Sequence, residues 1–245
     1  MREAITPPVR LPLGSATALE GEAVPRRRHR ATRKGVVWEA EESYRKAALF
    51  LSKMVAQGGR SVLVCSGRRG EGTTTAVLSL AHQLQESYGL RPLVIELSRR
   101  KPILARLFAL DPEATLDHAL GRLKLATECV QVTQSGIPVI PGGVSGAAGG
   151  QPLLAPALKQ VLHEVEELFD VVLVDAPPVL SHADAVIAGT VIPRIVLVVE
   201  AGRTNHETLD RVKRELATEG LSIAGTLLVK HERFIPRWIE WWLGR

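Results

Sequence analysis

The chain has 245 residues, enough for one large α/β unit with a substantial core. Its composition is globular, 45% hydrophobic and 23% charged, and its net charge of +5 is concentrated in Arg26, Arg27, Arg28, Arg30, Arg33 and Lys34. Without that run the chain is close to neutral, which excludes a nucleic-acid binder working through its whole surface. Two cysteines without metal or disulfide spacing, no signal-peptide pattern and no apolar run of spanning length lead us to expect a reducing, cytoplasmic setting.

In chain order, residues 1–35 are rich in Pro, Gly, Ala and Arg without sustained periodicity and read as a disordered basic tail. Its charge suits either plain solvation or peripheral contact with anionic lipid. A folded domain is expected over 36–232. It opens with a helix over 38–57, whose stripe runs through Ala47, Ala48, Leu51, Met54 and Val55. Strands are then expected at 61–65, 92–97, 137–140, 171–175, 194–200 and 223–229. Helices are expected at 74–87, 102–109, 115–121, 153–168, 183–189 and 205–219. The continuously apolar runs at 171–174 and 195–199 fit strands covered on both faces. This alternation predicts an α/β fold with a doubly wound, mostly parallel sheet. Residues 141–150 read as a flexible Gly/Ala loop. The last segment, 233–245, holds Trp238, Trp241 and Trp242 at helical spacing. It suits a packed tail helix, a partner-docking helix or an interfacial anchor.

The chemistry is concentrated in three strand ends. Residues 66–75 read Ser-Gly-Arg-Arg-Gly-Glu-Gly-Thr-Thr-Thr between an apolar strand and a helix. That is the context of a phosphate-binding P-loop, met at Gly67, Gly72 and Thr74 but with Thr73 where lysine should stand. Backbone N–H groups of Arg69, Gly70, Glu71, Gly72, Thr73 and Thr74, together with the helix start, would cradle an anion. Thr74 and Thr75 supply hydroxyls, and that of Thr74 is placed for Mg²⁺. The run Val171 to Asp175, an apolar strand ending in a carboxylate, is a Walker B pattern that would hold the same ion. A third strand ends at Glu96, followed by Ser98, Arg99, Arg100, Lys101 and Pro102.

The order of these elements resembles the bacterial tyrosine kinase (BY-kinase) family of capsule and exopolysaccharide systems, within the deviant P-loop ATPases that include ParA and MinD. Gly70-Glu-Gly-Thr-Thr-Thr75, Asp175-Ala-Pro-Pro-Val-Leu180 and Val199-Glu-Ala-Gly-Arg-Thr204 carry the likeness, which spans roughly residues 39–240. It implies an ATP/ADP and Mg²⁺ site at the P-loop, with Gly67 and Arg68 included. It also implies a membrane polysaccharide co-polymerase or adaptor as partner, and self-association through the helix bearing Glu42 and Arg45. If phosphoryl transfer occurs, Glu96 is the expected base and Asp175 the Mg²⁺ ligand.

The departures fall on reactive positions. Besides Thr73, Ser98 stands for a metal-binding acid and Val229 for an adenine-contacting asparagine. Ala48 replaces the last arginine of the oligomerisation motif. The only tyrosines are Tyr44 and Tyr88, so the family's tyrosine cluster is absent. Three readings follow: a catalytically impaired regulatory protein, an active ATPase or autokinase in which Arg68 or Arg69 replaces the lost lysine, or a ParA/MinD-like positioning ATPase at the membrane.

Overall fold

In a computed structural model, residues 34–99, 101–143 and 152–230 are described. Residues 1–33 of the expected 1–35 tail, residues 144–150 of the segment expected as a loop at 141–150, the Trp-rich segment 233–245 and the side chain of Glu42 lie outside the described residues.

The chain runs α1 (Lys34–Ala56), β1 (Ser61–Ser66), α2 (Thr73–Tyr88), β2 (Pro92–Glu96), α3 (Leu104–Phe108) and α4 (Leu116–Leu120). After a 3-10 turn (Ala126–Cys129) come β3 (Gln131–Val132), β4 (Pro138–Ile140), α5 (Ala155–Glu166), β5 (Val171–Asp175), α6 (Ala183–Val191), β6 (Ile195–Glu200), α7 (His206–Thr218) and β7 (Ile223–Val229). The seven strands form one sheet in the order β3-β4-β2-β5-β1-β6-β7. All neighbours are parallel except the β3–β4 pair. The expected doubly wound α/β sheet is therefore what forms.

Alternate residues of each central strand feed separate cores, as strand geometry demands. Leu63 and Cys65 of β1 and Val172 and Val174 of β5 face the layer of α5, α6 and α7, meeting Leu158, Ala185 and Val212. Val62 and Val64, with Val171 and Leu173, face the other layer, where Leu51 of α1 and Ala76 and Leu80 of α2 pack. Every residue of β1, β2 and β5 is buried. This explains why these strands read as unbroken apolar runs rather than alternating ones. No helix among the described residues is long and apolar enough to cross a membrane.

Several details depart from the sequence reading. Helix α1 begins at Lys34, four residues early, running through Gly35 and two valines that local propensity disfavours. The segment expected as a helix over 102–109 is helical only over Leu104–Phe108, because Pro102 precedes it and Ile103 donates its N–H to Glu96. The two-residue edge strand β3 is too short to leave a pattern.

The first part of the expected loop at 141–150 is pinned rather than flexible. Leu116 donates to the Pro141 carbonyl at 2.7 Å, and Gly142 donates to the Glu96 carboxylate at 3.0 Å. A Cβ on Gly142 would sit 2.9 Å from the Glu96 carbonyl oxygen, so only glycine fits this approach.

Candidate nucleotide site

The sheet order reverses at its centre. From β1 the chain crosses to β2 beyond β5, whereas β6 and β7 lie on the other side of β1. In open α/β sheets ligands bind outside the C-terminal strand ends at such a switch point. Here that position holds a cleft of about 610 Å³, lined from the strand ends by Ser66, Leu97, Ser98, Asp175 and Lys230. A volume in this range suits a small ligand such as a nucleotide.

The loop from β1 to α2 is built for close backbone approach. Gly70 and Gly72 hold φ values of 86° and 92°, and Gly72 caps α2 without any side-chain hydrogen bond. The first N–H groups of α2 thus have no side-chain acceptor at the cap and open toward the cleft, the arrangement that receives phosphate. The Ser66 hydroxyl donates to the Arg68 carbonyl at 3.0 Å. The Glu71 carboxylate, 1% exposed, accepts from the Arg68 N–H at 2.8 Å and from the Thr204 hydroxyl at 2.5 Å. Glu71 therefore braces the loop from behind.

Of the loop residues expected at the ligand, Arg69, Gly70, Gly72, Thr73, Thr74 and Thr75 line the cleft. Gly67, Arg68 and Glu71 do not. A Cβ on Gly67 would lie 3.0 Å from both Thr208 and Val212, so this glycine serves packing against α7. The Arg68 side chain is exposed outside the cleft.

The structure brings together the two residues expected to hold Mg²⁺. The Thr74 hydroxyl donates to Asp175 Oδ2 at 2.6 Å across the strand-to-helix junction. Burial pushes the Asp175 carboxyl up to about 7, against the Thr74 hydrogen bond and with a further push from the nearby Glu96. A divalent cation beside it would favour the ionised form. Among the described residues no group of three His, Cys, Asp or Glu side chains gathers. This donor set fits a cation that takes most of its ligands from phosphate and water, as Mg²⁺ does. Thr74 and Asp175 would be its protein ligands.

Glu96 is placed differently from the expectation. It pairs in register with Asp175 on the neighbouring strand, yet it does not line the cleft. Its fully buried carboxylate accepts backbone N–H groups from Ile103 at 2.6 Å, Leu104 at 3.3 Å and Gly142 at 3.0 Å. Desolvation raises its pKa, and the three N–H groups oppose that rise. The carboxylate that was expected to act as a base thus ties the start of α3 to the 141–143 turn.

Ser98 does reach the cleft, but Val229 is core, packed behind Gly72. Arg99 is also buried at the cleft, with ion pairs to Asp117 at 3.2 Å and Asp184 at 3.7 Å. The sequence reading gave no role to Arg99, Asp184, His182 or Lys230, all of which line the cleft. Thr204 lay within a quoted motif without a role, which its bond to Glu71 now supplies.

No family model matches the chain. The tyrosine-protein kinase YwqD of Bacillus subtilis is 29% identical over 181 residues, covering 71% of this chain and 76% of that protein. The chain is thus similar to bacterial tyrosine-protein kinases. The kinase domain of the Escherichia coli tyrosine kinase ETK superposes with a TM-score of 0.67 at 22% identity, covering 84% of each chain. The same fold recurs in cobyrinic acid a,c-diamide synthase from Mycobacterium smegmatis, solved with an ATP analogue and magnesium. It superposes with a TM-score of 0.62 at 20% identity, over 76% of this chain and 80% of that one. Thr73, which stands where the P-loop pattern has its lysine, lines the cleft.

Proposed function

We propose that this chain is a nucleotide-binding regulatory member of the BY-kinase family, serving capsule or exopolysaccharide assembly with its phosphoryl-transfer chemistry impaired. The observation that carries this reading is the hydrogen-bonded Thr74–Asp175 pair at the mouth of a formed P-loop, with Thr73 and Ser98 at the reactive positions beside it. The cradle supports binding of MgATP or MgADP. The losses at 73 and 98 remove charge that would stabilise the transferring phosphoryl group, and one such group is worth on the order of 10²–10³ in rate.

No acceptor tyrosine stands ready among the described residues. Tyr44 lies partly buried on α1, bonded to Ser79, and burial raises its pKa. Tyr88 is the last residue of α2. The partner in this reading is a membrane polysaccharide co-polymerase, and the chain acts at the cytoplasmic face of the membrane. Self-association would run along the outer face of α1 through Arg45, since Ala48 is fully buried.

Thermal unfolding with MgATP and MgADP, paired with phosphotyrosine detection, tests the proposal. Nucleotide at 100 times its dissociation constant is expected to stabilise the chain by about 2.7 kcal/mol. Phosphotyrosine should stay at the level of Asp175→Asn. Incorporation well above that variant would instead favour an active kinase, with Arg69 as the cleft-lining arginine able to replace the lysine. No shift at millimolar nucleotide would leave only a scaffold.

A further inference from the structure

Position 73 lacks an ammonium, yet one stands at the same loop from another direction. Lys230 follows β7, whose last residue Val229 pairs with Glu200 of β6. Its Nζ donates to the Gly70 carbonyl at 3.1 Å and lies 3.2 Å from Glu200 Oε1. Its Cε would be 3.7 Å from a Cβ placed on Gly72. Lys230 lines the cleft together with Thr73, Thr74 and Asp175.

Arg203 also reaches the Gly70 carbonyl, at 3.4 Å, but it does not line the cleft. Lys230 holds a left-handed backbone, φ 55°, a conformation that costs a non-glycine residue about 1 kcal/mol or more and tends to cluster where ligands are held. Its side chain is 51% exposed, so solvent-side space is open around the ammonium.

We propose that Lys230 supplies, from the end of β7, the phosphate-binding ammonium that the P-loop lacks at position 73. This rests on the nucleotide site proposed above. Without a ligand the ammonium is parked on the Gly70 carbonyl and on Glu200. Desolvation works against the Glu200 carboxylate, but hydrogen bonds from Arg203 and Lys230 keep its pKa below the ordinary value. A bound di- or triphosphate offers denser negative charge beside the same loop. A lysine ammonium, as a point charge with three donors, can turn to it without a fixed approach geometry. The donor of a P-loop cation would thus have moved about 160 residues along the chain while staying at the same loop in space.

The test is calorimetric titration of the full chain and its variants with MgATP and MgADP. Lys230→Met is expected to weaken both by about 10- to 100-fold, the value of a hydrogen bond to a charged partner. The double variant Thr73→Lys/Lys230→Met should recover most of that loss. Glu200→Gln, which breaks the ion pair but leaves the ammonium, should bind as well as the parent or better. Circular dichroism of each variant reports that the fold is kept. Parent-like affinity in Lys230→Met overturns the proposal while leaving the nucleotide site standing. An equal loss in Glu200→Gln overturns it too, by showing a structural ion pair. Absence of binding to the parent chain removes both readings at once.

Discussion

Two carboxylates stand side by side at the ends of β2 and β5 and have been given opposite work. Glu96 and Asp175 are register partners, both buried and both terminating apolar strands. Glu96 is fully engaged by backbone N–H groups from two separate turns. Among the described residues Asp175 has a single hydroxyl partner, and it looks into the cleft. A buried acid surrounded by N–H donors is a structural clamp. A buried acid left with one hydroxyl is still available to a cation. The strand end alone does not decide between them; what the following loop folds back to offer does.

Cutting the clamp should have the largest effect. Glu96→Ala leaves the buried N–H groups of Leu104 and Gly142, and that of Ile103, without their acceptor and is expected to cost about 3–5 kcal/mol in urea unfolding. A loss below about 1 kcal/mol would show that those groups find other partners. Gly142→Ala attacks the same clamp sterically, since the new Cβ meets the Glu96 carbonyl at 2.9 Å. Its expected cost is about 1–3 kcal/mol.

The partner acid should behave in the opposite sense. With no nucleotide or Mg²⁺ added, Asp175→Asn should stabilise the chain at pH 8 by about 1 kcal/mol or more. The sign follows from the carboxyl being raised from 3.8 to about 7. Between those values the folded state holds a proton that the unfolded state releases, so parent stability falls as pH rises through that window. The advantage of the variant should accordingly grow from pH 4 to pH 7 and then level, while its stabilisation by MgATP is lost. Equal unfolding curves at pH 4 and pH 8 for parent and variant would show that Asp175 carries no such burden.

The smallest effect belongs to an acid that has neither role. Asp170 accepts from the Arg91 backbone and guanidinium at 2.8–3.1 Å near the surface, and the Arg91 hydrogen bonds lower its pKa. Its contribution is fully present above the carboxylate's unfolded value and is lost as pH falls through the lower folded one. Asp170→Asn should cost under about 1 kcal/mol at pH 7, measured by urea unfolding, and nothing in strong acid.

The sheet, the helix order and the Gly70–Gly72 loop were legible because each is written in a few consecutive residues. Asp175 was legible for the same reason, an apolar run with an acid at its end. What sequence could not show is decided at long range. Glu96 is claimed by Gly142, 46 positions away, and Glu71 by Thr204, 133 positions away. The Lys230 ammonium meets Gly70 across 160 positions. Local patterns describe local contacts, so Glu96, at the end of a strand, took its expected role as a base from the family resemblance, and Lys230 was left without a role.

The Glu71–Thr204 bond has one more consequence. It anchors the phosphate cradle to the segment that leads into α7, where Gly67 also packs against Thr208 and Val212. The conformational entropy of ordering the loop is therefore spent when the chain folds rather than when a ligand arrives. Binding to such a preorganised cradle should be accompanied by little loop rearrangement. Conversely, anything that levers α7 away from the sheet would release the loop from behind, without touching the cleft itself.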